Sequence, residues 1–122
     1  LTVESVDVHC SQAEVKPYLY AHQGQEAGFV ELYHHSNDIA RICRVFVAPQ
    51  FRGQGVAKTM LQALIREARN QGYSEITLRV FSHNLSAIRC YHSLGFVEVK
   101  REHGIREFDG ESWELIYMDK PL

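Results

Sequence analysis

The sequence predicts a mixed α+β domain in which one sheet, partly antiparallel and partly parallel, packs against flanking helices. A β-branched run at Val45–Val47 ends at Pro49, and from Val56 the apolar residues recur at the spacing of one helix face. Stretches of alternating apolar and polar residues lie before and after this strand and helix. Such alternation is typical of strands with one buried face, so the chain should combine antiparallel hairpins with one parallel crossover.

The elements expected before the central helix are strands. Leu1–Lys16 is the least informative part and has only a hint of a strand. Pro17–His22 and Glu26–Tyr33 should form a hairpin, because Gln23–Gln25 between them has the length of a hairpin turn. The next strand, Ala40–Ala48, leads into a loop that contains glycine.

After this loop the pattern predicts a helix, a strand parallel to the one before the loop, a second helix and two further strands. Their expected ranges are Gly55–Asn70, Glu75–Val80, Leu85–Leu94, Phe96–Arg101 and Ser112–Asp119. His103–Gly110, which is rich in charged residues, is expected as a polar loop between the last two strands.

Composition restricts the function classes. At 122 residues the chain is expected to be one domain, residues 1–122. A net charge of −2 provides no basic field for nucleic acid or an anionic membrane, and no apolar run reaches the roughly 20 residues of a membrane span. Cys10, Cys43 and Cys90 have no CxxC spacing, so we expect neither a disulfide framework nor a metal site, and a cytoplasmic location.

The loop Gln50–Gly55 has the features of an anion site. The first turn of a helix presents backbone N–H groups that lack intrahelical partners, and the helix dipole adds partial positive charge there. Gly53 and Gly55 allow close backbone approach, and Arg52 adds a permanent cation. The segment therefore suits a phosphate or pyrophosphate, although an ordinary strand–helix turn could use the same glycines.

Two segments resemble one family. Arg52–Ala57 (RGQGVA) matches the R-x-x-G-x-G/A acetyl-CoA motif of the GCN5-related N-acetyltransferase (GNAT) superfamily. Asn84–Phe96 (NLSAIRCYHSLGF) resembles the N-x-x-A-x-x-x-Y-x-x-x-G-F segment of that family, about thirty residues later, as the family has it. The resemblance extends from Pro17 to the C-terminus. Family members usually begin with a strand and two helices, so residues 1–16 imply a reduced or incomplete N-terminal section.

The resemblance implies an acyl-CoA N-acyltransferase-like fold and an N-acetyltransferase. Such an enzyme moves an acetyl group from acetyl-CoA, its co-substrate, to a primary amine by direct attack in a ternary complex. Backbone N–H groups would hold the pyrophosphate, and the pantetheine arm would lie between two splayed strands, with the Val47 amide bonding to the thioester carbonyl. The cofactor-binding residues that it implies are Phe46, Val47, Arg52, Gly53, Gln54, Gly55, Val56, Ala57, Lys58 and Asn84.

Tyr91 is the expected general acid, because a phenol with a pKa near 10 can protonate a leaving thiolate at neutral pH. The alternative is that Tyr91 only packs beside Ile88 and Leu94. Asn84 has two alternatives as well, since it could cap the second helix or contact the pantetheine arm.

The general base is less well defined. Many family members carry a Glu about six residues before the position of Val47, and here that residue is Arg41. Glu31 and His34 remain as candidates, although residues at a strand end are often simply solvated. An amine that loses its proton to water would need no base. A metal site at His34 and His35 is disfavoured, because neighbouring residues of a strand point to opposite faces.

Other functions are also compatible with the sequence. A CoA-binding module or sensor without turnover would explain the short N-terminal section and the missing Glu. A nucleotide-phosphate binder of another fold would require the second motif to be coincidental. Under the leading hypothesis the acceptor is a small-molecule amine or a peptide or protein amine, and a second subunit, as in a homodimer, would cover exposed sheet.

Overall fold

The structure, a computed structural model, describes residues 2–6, 15–108 and 110–122, with side chains except at 2–6, 105–108 and 111. Its strands are β1 (Thr2–Val6), β2 (Val15–His22), β3 (Gln25–His34), β4 (Ile39–Val47), β5 (Glu75–Phe81), β6 (Val97–Phe108) and β7 (Glu111–Pro121). Its helices are α1 (Val56–Asn70) and α2 (Leu85–Ser93), and a 3-10 turn occupies Pro49–Phe51. The strands and helices predicted after Lys16 are therefore all present, and their ends differ by a few residues except in β6, which continues to Phe108. Predictions made for residues 7–14 lie outside the described residues.

One sheet organises the chain in the order β2-β3-β4-β5-β7-β6, with β1 pairing with β4 outside this path. β4 and β5 run parallel and are connected through α1, whereas the other neighbouring strands are antiparallel. This mixed sheet with two helices confirms the predicted fold class.

The central strands separate part-way along their length. Within the described chain, β4 and β5 pair only where Ile39–Arg41 lies beside Glu75–Thr77. Beyond that point β1 pairs with the edge of β4, with Thr2 opposite Val47 and Val6 opposite Arg44. The expected splay between β4 and β5 is therefore present, and the backbone of β1 occupies the opening.

Both helices pack on the same face of the sheet. Apolar side chains of α1 and α2 form one buried cluster with alternate residues of the central strands, among them Ile42, Leu64, Leu78 and Tyr91. Side chains at the intervening strand positions point the other way. We call that side the second face; it includes Tyr33, Arg41, Thr77, Arg79 and Tyr117.

A β-bulge interrupts β4. Glu31 is opposite Arg44 and Leu32 is opposite Ile42, so Cys43 is the extra residue. Cys43 is fully buried and disulfide-bonded, which corrects the expectation that the cysteines form no disulfide. Cys90 is a half-buried thiol, and Cys10 lies outside the described residues.

The last hairpin is longer than expected. Pairing of β6 with β7 continues to Phe108 opposite Glu111, so the predicted polar loop at His103–Gly110 is wrong. β6 is an edge strand, and a polar sequence can pair there because one side of the strand faces solvent. The register shifts between Glu102 and Arg106, where Gly104 has a φ of +66°, so the charged stretch is a bulged strand.

Candidate active site

The glycine loop joins β4 to α1. After the 3-10 turn, Arg52 is extended, and Gly53 and Gly55 both have a φ of +75°. A Cβ added at either glycine would meet no atom within 4 Å, so the backbone conformation and not crowding requires glycine there. The Thr59 N–H donates to the Gly55 carbonyl as the first helical bond of α1. The N–H groups of the preceding turn, around Val56 to Lys58, therefore point out of the helix end.

A cleft of about 530 Å³ lies between this loop and α2. Its charged side chains, among the described lining residues, are Arg52 and Lys58, and both are exposed. The lining residues are Val47, Phe51, Arg52, Gly53, Gly55, Val56, Ala57, Lys58, Ser86, Cys90 and Ser93. Two cations, a helix N-terminus and an apolar wall make the cleft suitable for a phosphate-bearing ligand with an apolar arm.

The α2 residues of this cleft were missed by the sequence analysis. Ser86, Cys90 and Ser93 follow one another at helical spacing of four and three residues, so they share a stripe on α2. The same spacing is visible in the sequence, but these small residues gave no indication of which stripe faces α1.

The edge of β4 directs hydrogen-bonding groups toward the opening beside β5. The Ala48 N–H donates to the Ala27 carbonyl of β3 at 2.8 Å. Because successive backbone groups of a strand point to opposite sides, the N–H groups of Val45 and Val47 point away from β3. This is the direction that the resemblance requires for a pantetheine arm. Thr2 and Ser5 of β1 are opposite Val47 and Val45 there.

Tyr91 lies in the core between α2 and the sheet. It is 1% exposed, and its ring is edge-on to Phe96 with 6.0 Å between ring centroids. A small cavity beside Tyr91 is also lined by Ala57 and Cys90, which line the larger cleft as well. Ala57 and Cys90 therefore lie between the Tyr91 ring and the cleft.

Asn84 is at the N-terminus of α2, but its side chain makes no capping hydrogen bond. Of its two sequence-based alternatives, the structure disfavours the helix cap. Phe46 is half-buried and belongs to the second face, whereas Val47 is buried and lines the cleft.

The two candidate bases lie in different places. Glu31 is on the second face, where it forms an ion pair with Arg44 at 3.4 Å. His34 Nδ1 and the Tyr73 hydroxyl are hydrogen-bonded at 2.6 Å, at the end of β3 where His34 is opposite Ala40. Ala40 is seven residues before Val47, or about 23 Å at 3.3 Å per strand residue. The structure thus does not bring His34 to the cleft.

The carboxyl and phenol groups described next have pKa values shifted from their ordinary values, and they lie away from the cleft. A hydrogen bond with Asp119 is the largest cause that raises the pKa of Glu75 above its ordinary value, and burial is the second cause. Burial raises the pKa of Tyr73. On β6 and β7, hydrogen bonds from Arg101 lower the pKa values of both Glu98 and Glu114. None of these groups lines the cleft.

No three His, Cys, Asp or Glu side chains of the described residues are grouped so that they could hold a metal ion. No helix in the described ranges combines the length and apolar character that a membrane span requires.

The family model described as "Acetyltransferase (GNAT) family" matches residues 2–96. The chain belongs to this family. Human N-acetyltransferase 8B is 47% identical over 47 residues, which are 38% of this chain and 21% of that protein. The chain spans about a fifth to a quarter of the length of the N-acetyltransferase 8 relatives that it matches.

Solved GNAT structures share the fold. The ribosomal-protein-S18-alanine N-acetyltransferase of Escherichia coli superimposes with a TM-score of 0.80 at 25% identity, over 91% of this chain and 71% of that one. A GNAT family acetyltransferase from Elizabethkingia anophelis, solved with acetyl-CoA bound, gives 0.81 at 18% identity, over 90% of this chain and 78% of that one.

Proposed function

We propose that the chain transfers an acetyl group from acetyl-CoA to a primary amine. The observation that carries this proposal is the cleft between the glycine loop and α2, in which Arg52 and Lys58 flank a helix N-terminus. Family membership indicates acetyl transfer, and the charge and the apolar wall of this cleft support binding of the pyrophosphate and the start of the pantetheine arm there.

In this proposal the backbone N–H groups from Gln54 to Lys58 bind the pyrophosphate, and Arg52 lies beside it. Gly53 and Gly55 hold the loop in the conformation that turns these groups outward. The arm continues along β4, where the Val47 N–H bonds to the thioester carbonyl and Phe46 lies alongside. Asn84 contacts the arm from the start of α2. Because β1 pairs with the same edge, it must leave β4 when the arm binds.

The chemistry is a direct transfer. The amine nitrogen attacks the thioester carbon, a C–N bond forms, and the C–S bond breaks with its electron pair on sulfur. The Tyr91 hydroxyl protonates the thiolate, and the amine gives one proton to water or to Glu31. Tyr91 is then reprotonated from solvent. Proton transfer of this kind typically contributes about 10²–10⁴ in rate.

A CoA-binding module without turnover is the second candidate. Two observations favour it: β1 takes the β4 edge, and Arg41 stands where many family members have a carboxylate. The two candidates differ in thiol release.

The test is thiol release from acetyl-CoA with a panel of amines, together with mass detection of the acetylated product. Cys90 is a half-buried thiol, so every reaction needs a blank without amine. Acetyl-CoA binding is measured separately by calorimetry. Release with one amine class supports the enzyme. Acetyl-CoA binding without thiol release for small amines, peptides and proteins supports the module, and absence of acetyl-CoA binding overturns both candidates.

A cytoplasmic location and a homodimer stay predictions from the sequence.

A further inference from the structure

We propose that the groove between the edge strand β2 and α1 is a second binding site, for a small organic cation with an apolar portion. The groove has no part in the acetyl transfer proposed above, so the inference is independent of that function. The ligand class is a protonated or quaternary amine, because the groove combines tyrosine rings, aliphatic side chains and one carboxylate.

The groove has a volume of about 240 Å³ and lies at the edge of the sheet, on the face that the helices cover. None of its described lining residues lines the 530 Å³ cleft at the start of α1. Its volume is below the usual range for drug-sized molecules, so the site suits a small ligand.

One wall of the groove is a stripe of α1. Met60, Leu64 and Glu67 follow one another at spacings of four and three residues, so they share one side of the helix. Met60 and Leu64 are almost fully buried and form an apolar floor. Met60 lies close to β3, since a Cβ added at Gly28 would be 2.7 Å from Met60 Sδ. Such a floor favours a ligand that buries an apolar portion.

The other wall is the edge strand β2. Tyr18 and Tyr20 are alternate residues of this strand and point to the same side, toward α1. Leu19, between them, is 69% exposed and also lines the groove. The face of a tyrosine ring attracts a cation, so these two rings favour an ammonium group over an anion.

Glu67 is the charged residue among the described residues that line the groove. Its half-buried carboxylate lies beside Tyr18, because Gln71 Nε2 donates to Glu67 Oε1 at 3.4 Å and to the Tyr18 hydroxyl at 2.9 Å. In the described part of the chain this carboxylate forms no ion pair. A carboxylate in partly apolar surroundings attracts a cation more strongly than one in bulk water does.

The cations nearby in the sequence do not line the groove. Arg66 and Arg69 are exposed, and they lie about 100° and 160° from Glu67 around the axis of α1. Lys16 is exposed and precedes Tyr18 by two residues, outside the lining residues of the groove. The groove is therefore anionic as well as aromatic, which favours amines over carboxylates and phosphates.

Calorimetry with the full chain, without acetyl-CoA, tests the charge preference. Two pairs of probes are used: choline with its neutral analogue 3,3-dimethylbutan-1-ol, and benzyltrimethylammonium with phenylacetate. In each pair the cation should bind about fivefold or more tightly than its partner, because the partner lacks the attraction to the rings and the carboxylate. Equal or weaker binding of the cations overturns the inference.

Variants locate the bound probe. Glu67→Gln and Tyr20→Leu should each weaken benzyltrimethylammonium binding by about fivefold or more, whereas Tyr20→Phe keeps the ring and should bind like the wild type. The matched control is Glu98→Gln, which removes an exposed carboxylate from β6 at the opposite edge of the sheet and should keep the wild-type affinity. Circular dichroism verifies that each variant is folded. Unchanged binding in both Glu67→Gln and Tyr20→Leu overturns the groove as the site.

Saturating CoA separates the groove from the cleft. The affinity for benzyltrimethylammonium should be the same with and without CoA, because the two sites share no lining residue. Loss of probe binding in the presence of CoA would place the cation in the cleft and overturn the inference. If CoA itself does not bind, the proposed function fails, and the variants still decide whether the groove binds the cation.

Discussion

Gly24 and Gly55 have nearly the same positive φ in two different places. Their φ angles are +77° and +75°, and a Cβ added at either would meet nothing within 4 Å. Gly24 lies in the turn between β2 and β3, whereas Gly55 lies in the cleft at the start of α1. An alanine at either position would be held at a left-handed φ, but only Gly55 belongs to the candidate acetyl-CoA site.

This pair gives the first prediction. Gly55→Ala and Gly24→Ala should each lower the free energy of unfolding by about 1–2 kcal/mol, the usual cost of left-handed backbone for a residue with a Cβ. Only Gly55→Ala should weaken acetyl-CoA binding, by tenfold or more, because relaxation of its φ turns loop N–H groups away from the ligand. Denaturant unfolding and calorimetry measure the two effects. Equal acetyl-CoA affinities for both variants would show that the loop does not contribute to acetyl-CoA binding.

Tyr91→Phe tests the general acid. Its kcat should fall by about 10²-fold or more, while acetyl-CoA affinity stays nearly constant, because the phenol acts on the leaving thiolate and not on the bound ground state. The matched control is Tyr73→Phe, which removes a hydroxyl bonded to His34 at the far end of β3. That variant should keep the wild-type kcat. An unchanged rate in Tyr91→Phe would assign the residue to packing alone.

The strand–loop–helix core was predictable because its signals are local. The β-branched run before Pro49 predicts β4, and the apolar stripe that follows predicts α1. The motifs at Arg52–Ala57 and Asn84–Phe96 then indicate the order of the loop, α1, β5 and α2. Gly55 at the loop and Tyr91 on α2 could therefore be named from the sequence.

The remaining features depend on pairing between distant strands. The bulge at Cys43 depends on register with β3, and the long β6–β7 hairpin depends on an edge position that tolerates polar residues. The pairing of Thr2 with Val47 joins residues that are 45 positions apart. No local pattern encodes such contacts, so the bulge, the long hairpin and the position of β1 could not be derived from the sequence.

A third prediction concerns pH. The hydrogen bond with Asp119 raises the pKa of Glu75, so the folded chain holds that proton more tightly than the unfolded chain does. This contribution to the free energy of unfolding is complete below the unfolded pKa, near 4.3, and is lost as pH rises through the folded value. Glu98 and Glu114 have lowered pKa values and act in the opposite direction, so the total profile mixes both signs.

A difference measurement isolates Glu75. In Glu75→Gln the amide keeps a hydrogen bond to Asp119 without titrating, so the Tm of the variant minus that of the wild type should increase from pH 4 to pH 7. Glu26→Gln, at an exposed carboxylate of the β2–β3 hairpin, is the control and should show a flat difference. Thermal unfolding followed by circular dichroism measures both. If the difference for Glu75→Gln is flat as well, the hydrogen bond with Asp119 does not raise the pKa of Glu75.

The last prediction concerns competition for the β4 edge. Thr2 and Ser5 are opposite Val47 and Val45, whose N–H groups point to the same side, so β1 and a pantetheine arm would use the same hydrogen-bonding groups. Proline at Thr2 and Ser5 removes the N–H groups of these two paired residues and should release β1 from β4. The double variant should then bind acetyl-CoA several-fold more tightly than the wild type. Thr2→Val with Ser5→Thr keeps both donors and should match the wild-type affinity. Tighter binding in both double variants would point to the changed side chains, whereas unchanged or weaker binding in the proline variant would show that β1 does not compete with the arm.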